Sequence, residues 1–175
     1  MTKSKLFLSL LAAGAIVSTA TAQSLKDAQA AIDAEQYDKA KGILQNLLTK
    51  KPKDGLNHFY LGQVFLANDK LDSAAWSFNN GVSNAPKEAL NTVGLGIVEL
   101  EKNNTSAAET KFNEATANLG RKDYLPLYYI GKAYTEAPTP DFAKAVDYLS
   151  QAKAKNAKDA LIPVALGDAY LGLGE

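Results

Sequence analysis

The sequence predicts an all-α fold, a solenoid of about four and a half stacked helix–turn–helix units, on three observations. Small and apolar residues recur at a period of 34: Ala40, Ala74 and Ala108 are 34 apart, and so are Leu44, Phe78 and Phe112. Turn-forming residues fall between the periodic stretches, at Asn68-Asp69, at Asn103-Asn104, and at Pro52 and Pro86. The best helix former, alanine, supplies 29 of 175 residues, and many of these hold one position of the period. A period of this length marks units that cannot bury an apolar face alone and therefore stack.

The first element is an address. Lys3 and Lys5 precede an apolar run from Leu6 to Val17, and Ala20-Thr21-Ala22 follow before Gln23. These are the charged, apolar and small-residue parts of a secretory leader. Twelve residues rising about 1.5 Å each reach about 18 Å, short of a hydrocarbon core of about 30 Å. A signal peptide over 1–22, cleaved after Ala22, is therefore expected, with no cysteine to accept a lipid. The mature chain would keep 175 − 22 = 153 residues and, without Lys3 and Lys5, a formal charge of 17 − 19 = −2. The periplasm of a Gram-negative cell is the expected location, with secretion as second choice.

Units follow at about 23–54, 55–88, 89–122 and 124–159, with an incomplete one at 160–175. Their helices are expected over 24–35, 37–50, 55–68, 71–83, 88–101, 105–118, 124–136, 141–154 and 159–172. First helices carry an aliphatic-Gly step at Gly62, Gly96, Gly131 and Gly167, and second helices carry Ala40, Ala74, Ala108 and Ala145. Small residues on both sides let backbones approach, opposite larger ones such as Phe65, Phe78, Tyr134 and Leu149. The fourth unit is displaced by 37, with extra residues in the turn from Glu136 to Pro140 and before Tyr124. Thr139-Pro140-Asp141 reads as an N-cap followed by proline at the first helical position. Asp123 and Asp159 read as caps that leave Pro126 and Pro163 near helix starts, where a missing N–H is tolerated.

These residues resemble the tetratricopeptide repeat, whose pattern sets a large residue, Leu-Gly and an aromatic before Ala, an aromatic or aliphatic, Ala and Pro. The second unit matches with Leu61, Gly62, Phe65, Ala74, Phe78, Gly81 and Pro86, and the fourth with Leu127, Ile130, Gly131, Tyr134, Ala145, Leu149 and Ala152. The first unit departs, with Asp27-Ala28 for Leu-Gly, and the third has Glu99 for the aromatic. The resemblance spans about Ser24 to Glu175 and implies a right-handed superhelix whose first helices line a concave groove. The family's second, fifth, ninth, twelfth and thirteenth positions would face that groove. They place Leu56, Phe59, Gln63, Leu66 and Ala67 there from the second unit, and Leu90, Val93, Ile97, Leu100 and Glu101 from the third. The fourth adds Leu125, Tyr128, Lys132, Thr135 and Glu136; Leu25, Gln29 and Ile32, and Val164, Asp168 and Leu171, come from the outer units. The expected partner-binding set is Phe59, Gln63, Leu66, Val93, Ile97, Leu100, Tyr128 and Lys132. The fifth position would form an apolar ridge from Leu25 through Phe59, Val93 and Tyr128 to Val164. The Lys/Asn pattern with which some members clamp a C-terminal carboxylate is absent, since Phe59 and Gln63 stand where it would begin.

Little else in the sequence carries chemistry. Equal counts of 19 basic and 19 acidic residues argue against nucleic-acid binding, which needs a basic surface. Zero cysteines exclude disulfides, thiolate catalysis and Cys-based metal sites, and a single histidine excludes multi-His sites. His58, at the unit's first large position, reads as a packing residue. Glu99 and Glu101 point to different sides of one helix, and Gly94-Leu95-Gly96 lacks the third glycine of a dinucleotide loop. No catalytic residue, metal or cofactor is therefore expected. The expected function is a non-catalytic protein–protein interaction scaffold of the bacterial cell envelope, binding a protein or peptide, extended or helical, in its groove. No nucleic acid and no membrane span after leader removal are expected. Two alternatives stay open: the N-terminal recognition region of a longer envelope enzyme, and a structural protein that self-associates.

Overall fold

Ser24 opens the first helix, α1 (Leu25–Asp33), with a reciprocal capping box. Its hydroxyl accepts from the Asp27 N–H, and the Asp27 carboxylate accepts from the Ser24 N–H at 2.7 Å. These bonds hold the Asp27 carboxyl below its ordinary range. The computed structural model describes residues 23–174, so the expected leader at 1–22 lies outside the described residues. Eight helices follow α1: α2 (Tyr37–Lys50), α3 (Gly55–Leu66), α4 (Leu71–Asn84), α5 (Ala89–Glu101), α6 (Thr105–Thr116), α7 (Leu125–Glu136), α8 (Phe142–Lys155) and α9 (Leu161–Leu173). The described residues hold no strand, and every helix end falls within two residues of its expected place.

One backbone device stops the first helix of three hairpins. Glu35, Asp69 and Asn103, spaced by 34, take left-handed conformations with φ of 55°, 55° and 60°. The next N–H then reaches back five residues: Gln36 to the Ala31 carbonyl at 2.8 Å, Lys70 to Phe65 at 2.9 Å, and Asn104 to Glu99 at 2.8 Å. This Schellman stop reverses the chain in a few residues. In the fourth hairpin the same register position is Pro138, whose ring fixes φ near about −65° and forbids it. The inserted residues make a wider turn there, in which the Asp141 N–H bonds back to the Tyr134 carbonyl at 3.0 Å.

That turn corrects the expected caps. Asp141 caps α8, its carboxylate accepting from the Lys144 N–H at 3.0 Å, so Pro140 lies outside the helix. Thr139 donates instead to the Asn103 side chain at 3.1 Å. Asp123 does not cap α7; its carboxylate accepts from the Gly120 N–H at 2.8 Å and closes the preceding loop. Asp159 does bond the first N–H of α9, that of Leu161, at 2.9 Å, although Ala160 holds the cap position.

First helices pack against one another in series, α1 to α3, α5, α7 and α9, whereas the backbones of the second helices α2, α4, α6 and α8 approach only first helices, with one ion pair, Lys144 to Glu109, linking α8 to α6. One row packed more closely than the other bends the stack, with the first helices on the inside. Phe78 of α4 is the plainest contact. A methyl group at Gly62 of α3 or at Gly94 of α5 would overlap its ring. Phe112 sits against Gly96 and Leu149 against Gly131 in the same way, and Ala40, Ala74, Ala108 and Ala145 are fully buried. Gly167 departs from the expectation: nothing lies within 4 Å, because no second helix follows α9 among the described residues.

Two buried polar side chains join helices across this packing. The Ser77 hydroxyl donates to the His58 carbonyl at 2.9 Å, and the Asn91 amide donates to the Gly55 carbonyl at 3.0 Å. His58 is itself buried, with Nε2 2.9 Å from the Pro52 carbonyl. A carbonyl only accepts, so that nitrogen carries the hydrogen and the ring is a packing residue.

Gly62→Ala should lose about 1–3 kcal/mol by overpacking against Phe78, whereas Gly167→Ala should gain up to about 1 kcal/mol from helix propensity. Urea unfolding of the two variants checks this. Comparable losses at both would mean that the Gly167 face is covered in solution.

Candidate functional site

The concave face is built by α1, α3, α5, α7 and α9, and burial sorts the expected contact residues into two layers. Gln63, Leu66, Ile97, Tyr128 and Lys132 line it. Phe59 and Val93 are fully buried, Leu100 is 5% exposed, and none of the three lines it. The expected apolar ridge is thus a correction: Phe59 and Val93 form the floor beneath the surface. The Phe59 ring packs edge-on against Tyr60 at 5.3 Å and Tyr129 at 4.8 Å, and against Phe78 at 5.9 Å. Tyr60 and Tyr129 occupy the next register position, the sixth. The sixth position of α5 is Gly94, which has no side chain, and the aromatic rings of α3 and α7 meet.

Leu56, Leu90 and Leu125, also expected in the groove, line a separate depression of about 310 Å³ with Glu88 and Asp123. Burial raises the Glu88 carboxyl there, against the lowering effect of the Leu90 N–H.

Three depressions adjoin along the concave face. One of about 470 Å³ runs from Ile32 and Asp33 past Tyr60 and Tyr129 to Leu161. A second, of about 270 Å³, lies between Gln63, Leu66, Ile97 and Glu101, and a third, of about 110 Å³, lies between Thr135, Val164 and Asp168. Lys132 borders all three, so they form one groove from α1 to α9. Its ammonium donates to both oxygens of Glu136, one turn along α7. Tyr60, Tyr129 and Asp33 were not among the expected residues; aromatics at the sixth position of two units were the available signal.

Electrostatics of the groove are acidic. Burial raises the Glu101 carboxyl first, and Asp69 and Glu136 add to the shift. The Tyr128 phenol is raised by burial and then by Glu136, Asp159, Asp33 and Asp168, all carboxylates. Burial likewise pushes Tyr129 up, with Tyr60 beside it. Glu99, by contrast, turns away from the groove, pairing with Lys102 at 3.5 Å and accepting from Asn104 at 2.9 Å. Among the described residues no three His, Cys, Asp or Glu side chains are grouped to hold a metal ion, and no helix is long and apolar enough to cross a membrane.

Curved rows of helical hairpins with a continuous inner groove define a helical-repeat scaffold. Residues 25–89 match the tetratricopeptide repeat family. The fold is similar to that of a thermophilic TPR protein of Thermus thermophilus, with a TM-score of 0.63 at 16% identity over 84% of this chain and 79% of that one. It is also similar to a chain of the APC/C hetero-tetramer Cut9–Hcn1, with a TM-score of 0.59 at 16% identity over 85% of this chain and 28% of that one. Comparison with curated proteins gave no match. Residues 25–89 thus carry the tetratricopeptide repeat, and the described residues share the fold of tetratricopeptide-repeat proteins.

A raised carboxyl pKa means that the fold holds that proton more tightly than the unfolded chain does. The associated stability is present below the ordinary carboxylate range and is lost as pH rises through the raised value. Glu101→Gln should therefore raise the stability at pH 7, read from urea unfolding, by less than about 1 kcal/mol, solvent screening a group this exposed. The gain should vanish by about pH 3, where both side chains are neutral. A gain of the same size at both pH values would remove ionisation as its cause.

Proposed function

We propose that this protein is a non-catalytic binding scaffold of the bacterial cell envelope that takes a peptide or helix from a partner protein in its concave groove. The observation that carries this reading is the continuity of the groove. Side chains from α1, α3, α7 and α9 border one depression of about 470 Å³, and α5 contributes Ile97 and Glu101 to the adjoining one. A single ligand laid there would touch all five first helices, as a stacked array allows and a lone hairpin does not. Polar groups among apolar ones, Gln63 and Lys132 beside Leu66, Ile97 and Tyr128, give such a ligand both a seat and a register.

The envelope part of the proposal is supported by the sequence of residues 1–22, with its lysines, its twelve-residue apolar run and Ala20-Thr21-Ala22. Osmotic-shock release of the protein, with an intact mass that begins at Gln23, is the expected result. A cytoplasmic protein that keeps residues 1–22 would defeat that part alone.

For the groove, a photo-reactive side chain placed at Lys132 should give a crosslinked partner in cells. The same group at Trp76, 61% exposed on the second helix α4, should give none. Adducts at Trp76 without adducts at Lys132 would put the partner on the second-helix side.

A further inference from the structure

We propose that the groove selects a cationic, extended peptide segment in which Arg or Lys side chains alternate with apolar ones. This rests on the groove reading above and adds the chemistry of the partner.

The charges bordering the groove are unequal. Asp33, Glu101, Glu136 and Asp168 face a single cation, Lys132, for a formal sum of 1 − 4 = −3. Lys132 is already held by Glu136. Among the described residues, Asp33, Glu101 and Asp168 have no Lys or Arg within ion-pair distance. A cleft lined by one sign of charge focuses its field inward, and a ligand that excludes water strengthens it. An anionic segment would be repelled, and a neutral one would desolvate carboxylates without replacing their water.

Two further features fit the same occupant. Tyr60, Tyr128 and Tyr129 border the depression that holds Asp33, and aromatic rings beside a carboxylate suit a guanidinium, which is planar and weakly hydrated. Gln63 borders the groove and its Nε2 has no acceptor among the described residues, so a rotation of this half-buried side chain brings an unpaired donor to a peptide carbonyl. The groove has three adjoining depressions along its length, which take side chains one at a time. A strand presents them in that fashion.

Fluorescence anisotropy with short labelled peptides, acetylated and amidated at their ends, tests the proposal on the purified protein. The peptides alternate leucine with arginine, with its neutral isostere citrulline, or with glutamate. The arginine peptide should bind at least about tenfold more tightly than the citrulline peptide, and the glutamate peptide most weakly. The Asp33→Asn/Asp168→Asn variant should lose about fivefold or more for the arginine peptide alone, with its urea midpoint showing an intact fold. Asp38→Asn/Asp147→Asn, which removes exposed carboxylates of the second helices α2 and α8, should stay within about twofold of the parent and so report non-specific attraction. Equal affinity for the arginine and citrulline peptides, or equal losses in the two variants, would overturn the charge selection and leave the groove reading standing. If no peptide binds, the groove reading falls with it.

Discussion

Everything in this molecule depends on how closely backbones approach around a few buried rings. Phe78 lies between Gly62 and Gly94, from two successive first helices, and so fixes the spacing of α3 and α5 as well as that of each with α4. Phe112 on Gly96 and Leu149 on Gly131 set the hairpins that follow. A missing Cβ is what lets a ring seat against a helix at core density. The spacing then puts the first helices in a continuous inner row, and that row decides the groove. Phe59 and Val93 have no room to reach its surface, and Tyr60, Gln63 and Lys132 form it instead.

The groove has a physical cost that the outer surface does not. Glu101 is partly withdrawn from water among other carboxylates, and its raised pKa shows that the fold would be more comfortable with it neutral. Second helices hold some of their charges in opposite-sign pairs, such as Lys111 with Glu114 at 2.8 Å. Residues that lower stability where they stand, on the side shaped to hold something, are what a binding surface looks like in energetic terms.

Much of the fold was legible because its determinants are periodic. Ala74 and Phe78 recur as Ala108 and Phe112 in one register, and Asn and Asp fall in the turns, so helix spans could be read to within two residues. The groove was legible only in part. A position rule tells which side of a helix a residue occupies, but not how near the neighbouring helices come, and that nearness buried Phe59 and raised Tyr60 and Tyr129 to the surface. The cap of α8 was misread for a related reason: Thr139 and Asp141 both carry oxygens able to cap, and the choice was made by the wide turn that Pro138 imposes. Glu35 in a left-handed stop could not be read from its own identity, since glutamate is no turn former. It could have been read from its register with Asp69 and Asn103.

Stacked repeats are usually coupled only to their neighbours, so that stability adds up along a line. The edge-on contact of Phe59 with Tyr129, at 4.8 Å, joins α3 to α7 and skips the repeat between them. A link of that reach lets the second and fourth hairpins sense each other directly, with the third clasped between. Coupling of that reach favours joint opening of the second and fourth hairpins over the opening of either alone. Because Tyr129 borders the groove and Phe59 lies directly beneath it, a ligand that settles on Tyr129 presses on that link.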